Sequence, residues 1–139
     1  MKKKNLTTKA NFEFFISECK KWINNFNLNC WDVWFTHEEL SHDIAQCSSN
    51  HGSMMATIKL STDFRDTPVT KEILTSTAVH EVCHLLVAKL AGAADDRYTD
   101  KDIVDAYNEE IANTLSRFLL KESIYRPLPK KKKTVNIDK

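Results

Sequence analysis

The chain has 139 residues, of which 42% are hydrophobic and 28% charged, and its formal net charge is +1. This length suits one domain with a modest core, and the composition is that of an ordinary globular protein rather than a disordered or fibrous one. A net charge this small implies no strong electrostatic partner for the chain as a whole.

Lysines are nevertheless concentrated at the two ends of the chain. Lys2 to Lys4 open it, and Lys130 to Lys133 form a run near its end. Such runs are typically solvated tails, so we expect a flexible basic start (1–9), a single domain (10–126) and a flexible lysine-rich tail (127–139). Contact between the tail and a nucleic acid is the alternative interpretation, although no aromatic residues interrupt the lysines.

Three features indicate the cellular compartment. The four cysteines show no C-x-x-C spacing, and the basic start is not followed by an apolar stretch of signal-peptide length. No segment approaches the roughly 20 apolar residues of a membrane span. We therefore expect reduced thiols, a cytoplasmic location and no membrane partner.

The first half of the chain predicts one helix and three strands. Apolar residues recur at helical spacing over 10–26, whereas aromatic and β-branched residues dominate 31–37. A weaker strand pattern at 44–49 is separated from a third strand at 54–61 by a glycine-containing turn. These strands predict a small antiparallel three-stranded sheet.

The second half predicts two long helices. Thr70 can cap the first, which should run to about residue 91, where Gly92 can end it. A loop over 93–99 then leads to a final helix, which ends before Pro127. The fold class is therefore α+β.

The most informative motif is His80-Glu81-Val82-Cys83-His84, within the first of these long helices. Residues four apart share one helix face, so both imidazoles can bind one metal ion. Glu81 lies beside His80, where its carboxylate can take a proton from a water on that metal. This is the H-E-x-x-H pattern of zinc peptidases, and the surrounding residues are otherwise small or apolar.

A catalytic zinc site normally has a third protein ligand, and the residues leave several candidates open. The metzincin class is disfavoured, because Leu90 occupies the position where its extended pattern has the third histidine. Glu109 or Glu110 can return over the motif on an antiparallel final helix, and Glu109 is favoured. Asp95 is the other candidate, in a segment that resembles the aspzincin peptidases.

The motif helix and Glu109-Glu110-Ile111-Ala112-Asn113 together resemble a minimal gluzincin. They are similar to small metallopeptidases of phages and mobile elements, and more remotely to ImmA/IrrE-type peptidases. The resemblance implies a zincin-like fold: an N-terminal helix, a small sheet, the motif helix and a glutamate-bearing C-terminal helix. It also implies that His80, His84 and Glu109 bind Zn²⁺ and that Glu81 is the general base.

The expected function is a zinc-dependent peptidase whose substrate is a protein or peptide. By the resemblance, an edge strand at 54–61 would bind the substrate backbone. Candidates to stabilise the oxyanion are Tyr98, Tyr107, His42 and His51. The alternative is a non-catalytic, zinc-stabilised protein that binds a protein or nucleic acid.

Overall fold

The computed structural model describes residues 4–125, which form three helices and three strands. In chain order these are α1 (Lys9–Asn25), β1 (Asp32–Glu38), β2 (Ala45–Asn50), β3 (Met55–Ser61), α2 (Lys71–Asp95) and α3 (Lys101–Tyr125). The predicted α+β class and the order of elements are confirmed. The lysine-rich tail at 127–139 lies outside the described residues.

The sheet is mixed, with the strand order β1-β3-β2. β2 and β3 form the predicted antiparallel hairpin, but β1 pairs parallel to β3, so the prediction of a wholly antiparallel sheet is wrong. β3 is the central strand rather than the predicted edge strand, and β2 lies at the edge. The sequence of a strand predicts which of its faces is buried but not which strand it pairs with. Here the 39–44 connection leads from β1 to β2 across a gap, and β3 then inserts between these two strands.

Residues 5–8, at the basic start of the chain, are hydrogen-bonded to the sheet end. Leu6 bridges Asp63, and the Thr7 hydroxyl donates to the Ser61 carbonyl at 2.7 Å. Thr8 caps α1 in a capping box. The start of α1 is therefore joined to the end of β3.

The core lies between the sheet and helices α1 and α2. Its largest fully buried apolar side chains are Phe15, Phe64, Ile58, Leu60, Leu74, Leu85 and Val82. The buried face of α1 (Phe15, Cys19, Ile23) belongs to the periodic pattern seen in the sequence. Ile58 and Leu60 of β3 lie on one face of the sheet, and that face packs in this core.

Helix α2 does not end at Gly92 but continues to Asp95, so the predicted end at residue 91 is wrong. The His51 ring packs directly on Gly92: a Cβ there would lie 2.1 Å from His51 Nδ1. Gly92 thus allows close approach of the β2–β3 turn to the helix and does not act as a stop signal.

By length and composition alone, α2 is also the one helix among residues 4–125 that could cross a membrane. In its most apolar window 44% of the residues are buried. Core helices of globular proteins meet the same two criteria, and α2 packs against α1, β2 and α3.

Candidate metal centre

The two motif histidines project their rings toward a common point. Their Nε2 atoms are 3.1 Å apart, and the rings meet edge to face with centroids 4.7 Å apart. Two nitrogens bound tetrahedrally to one zinc ion, each at about 2.0–2.1 Å, would be separated by about 3.3 Å. The described positions of His80 and His84 therefore fit two ligands of one metal ion without a change of backbone.

The histidine pair lies on the open side of α2. Ser76, His80, His84, Val87 and Ala91 follow one another at intervals of three or four residues, and all are exposed. This stripe is the face that neither the sheet nor the other helices cover. A solvent-borne metal ion and a substrate can both reach it.

Glu81 has the opposite environment, with only 5% of its surface exposed. Burial raises the pKa of its carboxyl group, while His80, His84 and a hydrogen bond from the Cys47 backbone N–H act in the opposite direction. The charge of Asp43 adds to the rise. A carboxylate that is partly desolvated and held by a backbone donor is suited to accept a proton.

Two adjoining clefts separate α2 from β2 and the loop before it. The wider, of about 440 Å³, reaches Ser76 and Thr77, and the narrower, of about 190 Å³, follows β2 to Gln46 and His84. Both are lined by Asp43, Ala45, His80 and Glu81. The general-base candidate and the first histidine therefore lie where the two clefts meet.

The structure does not bring Glu109 to the histidines. Its neighbour Glu110 pairs with Lys89 at 3.2 Å, and Lys89 follows His80 by nine residues. That spacing is about 13 Å along the helix and half a turn around it. Glu109 is exposed, and among residues 4–125 no group of three His, Cys, Asp or Glu side chains is arranged to hold a metal ion. Glu109 as third ligand stays a prediction.

Asp95 cannot share an ion with the motif. It lies on the same helix eleven residues after His84, which is about 16 Å along the axis. The sequence interpretation placed it in a loop because it ended the helix at Gly92. The continuous helix removes the flexibility that a return to the histidines would need.

None of the oxyanion candidates lines either cleft. Tyr98 is 88% exposed, and the ring of Tyr107 lies 5.8 Å from the Lys89 ammonium. His51 packs on Gly92, and His42 is exposed in the 39–44 connection. None of these four residues is therefore placed to stabilise an oxyanion at the histidine pair.

Sequence reasoning missed Asp43, which lines both clefts. It precedes β2 by two residues and is far from the motif in the chain. No local pattern marks it, because a polar residue before a strand is ordinary. Its place beside His80 and Glu81 follows only from the packing of β2 against α2.

No family model, curated protein or solved structure matches the chain. The chemistry assigned to this site therefore rests on the site's own geometry and on the motif.

Proposed function

We propose that the protein is a zinc-dependent peptidase. The observation that carries this proposal is the convergence of two imidazole nitrogens, 3.1 Å apart, beside a carboxylate that is almost fully buried. A carboxyl group is costly to bury, so its burial beside the two histidines favours a functional site over an incidental pair of surface histidines.

In this proposal His80 and His84 hold the ion, and Glu109 is the third protein ligand. The two histidines meet the distance requirement in the described structure. The role of Glu109 requires α3 to approach the exposed stripe of α2, and the Lys89–Glu110 pair opposes this movement. The Glu110 side chain is more than half exposed to solvent, so this ion pair is a weak restraint.

A bound zinc ion supplies Lewis-acid polarisation of the scissile carbonyl and a lowered pKa for a water ligand. Glu81 would accept a proton from the attacking water on a carboxylate oxygen and would then donate it to the departing amine. The hydrogen bond from the Cys47 backbone N–H would help to orient the Glu81 carboxylate. Burial favours the first transfer, because it stabilises the protonated carboxyl group relative to the carboxylate.

The outer edge of β2 is the proposed binding site for the substrate backbone. β2 pairs only with β3 among the described strands. The Ile44 carbonyl accepts a bond from the Ser61 N–H on the β3 side, so by strand alternation the backbone groups of Ala45 face outward. An extended peptide can add to this edge beside His80. This replaces the predicted edge strand at 54–61, which has neighbours on both sides.

The test measures zinc content and peptide hydrolysis in the same preparations. We expect near-stoichiometric zinc in the wild type and in Glu81→Gln, with turnover in the variant reduced by at least about a hundredfold. His80→Ala should lose the zinc. Among Glu109→Ala, Glu110→Ala and Asp95→Ala, only the first should lower zinc content.

Three outcomes separate the alternatives. Zinc that is bound without turnover of any peptide would favour the non-catalytic, zinc-stabilised binding protein. Zinc retained in Glu109→Ala would remove Glu109 from the ligand set but leave the histidines in place. Absence of zinc from the wild type after supplementation would overturn the proposal.

A further inference from the structure

We propose that Asp43 forms an anionic subsite that selects substrates carrying a positively charged group next to the scissile bond. The inference rests on the proposed peptidase function and adds a substrate class to it. The group is the side chain of a lysine or arginine, or the free amino end of a peptide.

Asp43 lies where it can contact a substrate bound in the clefts. It lines both clefts together with His80 and Glu81. It therefore lies beside the reacting centre without belonging to the described ligand pair.

The Asp43 carboxylate is not neutralised by the protein. Within residues 4–125 it has no hydrogen bond or ion pair, and neither cleft is lined by a lysine or an arginine. Its charge nevertheless reaches the site, since it contributes to the raised pKa of Glu81. Apart from the zinc ion proposed at the histidine pair, a substrate cation would be the first opposite charge that this carboxylate meets.

The loop that carries Asp43 is held in place. Arg65 donates from Nη2 to the Leu40 carbonyl at 2.6 Å and also to the Ser41 carbonyl. The Leu40 N–H donates at 3.3 Å to the hydroxyl of Ser61, a residue with no exposed surface. A fixed loop is expected for a specificity residue, because ordering a mobile one on binding would weaken the selection.

Arg65 is itself restrained, which makes it a positioning residue for Asp43. Its backbone has a φ of 55°, in the left-handed region, and its N–H donates to the Asp63 carboxylate at 2.8 Å. Asn5 donates to its carbonyl at 2.6 Å. Two segments, residues 61–65 and Asn5, therefore combine to hold the loop next to the wider cleft.

The test uses peptides that are identical except for one residue, which is lysine, glutamine or glutamate, at successive positions along the sequence. Each peptide is made with a free and with an acetylated amino end. Two readouts are compared: hydrolysis by the wild type, and binding to zinc-loaded Glu81→Gln by calorimetry. Asp32→Asn is the matched control, since Asp32 is an exposed acid at the opposite end of the sheet.

At one position, or at the amino end, we expect the cationic peptide to be preferred over the glutamate peptide by about tenfold, since Asp43 is exposed. The ratio should fall toward one in Asp43→Asn, reverse in Asp43→Lys and persist in Asp32→Asn. In binding, the same order should appear when each Asp43 change is combined with Glu81→Gln. A preference lost on acetylation identifies the amino end, and one that survives identifies a side chain.

Hydrolysis without any charge preference, or a preference that Asp43→Asn leaves unchanged, would overturn this inference while the peptidase function stood. A wild type that binds no zinc and cleaves no peptide would overturn both.

Discussion

The contact between His51 and Gly92 can be tested by a double-mutant cycle. It fixes the β2–β3 turn against α2, and thereby sets the position of β2 along the motif helix. Gly92→Ala places a methyl group where the His51 ring now lies, with the new Cβ 2.1 Å from Nδ1 and 2.9 Å from Cγ. Because Cγ is close to the backbone, rotation of the ring tip does not relieve the overlap.

The two energetic consequences of Gly92→Ala have opposite signs. Alanine in a helix interior stabilises by about 1 kcal/mol relative to glycine. Overpacking and loss of the His51 contact cost about 1–3 kcal/mol. We therefore expect a net loss of about 1 kcal/mol in the free energy of unfolding. In a His51→Ala background only the helical gain remains, so the same change should stabilise by about 1 kcal/mol.

Urea unfolding of the wild type, both single variants and the double variant gives the coupling energy, which we expect to be about 2 kcal/mol. Circular dichroism and tryptophan fluorescence report the same transition if unfolding is two-state. An equal effect of Gly92→Ala in both backgrounds would show that His51 does not pack on Gly92. The β2–β3 turn would then not be held against α2 by this contact.

Further outcomes follow from the cysteines, His37 and the cap of α1. Exposed Cys30 should react with a thiol reagent at least about a hundredfold faster than Cys47, because burial raises the pKa of Cys47 to about 11, and Cys30→Ser should remove the fast phase. Partial burial lowers the pKa of His37 below 6.5, so its contribution to stability is present above that pH and is lost as pH falls through the lowered value. His37→Gln should flatten this part of the pH–stability curve, and an unchanged slope would exclude His37 as its source. Thr8→Ala should cost about 1 kcal/mol in urea unfolding, whereas Thr8→Asn should cost little.

The sequence alone determined the local features of this protein. The spacing of His80 and His84 placed two imidazoles on one helix face, because helical periodicity depends only on neighbouring residues. Thr70 was correctly predicted to cap α2, and the glycine-containing turn correctly predicted the β2–β3 hairpin. These features arise from contacts within a few residues, which a sequence shows directly.

The tertiary structure alone decided which residues from distant parts of the chain lie beside the histidine pair. The parallel pairing of β1, the central place of β3 and the position of β2 against α2 bring Asp43 and Cys47 to Glu81. Gly92 was misread for the same reason, since its role depends on a side chain 41 positions earlier in the chain. Contacts between distant segments are selected by the packing of whole faces, and no short stretch of residues records which faces will meet.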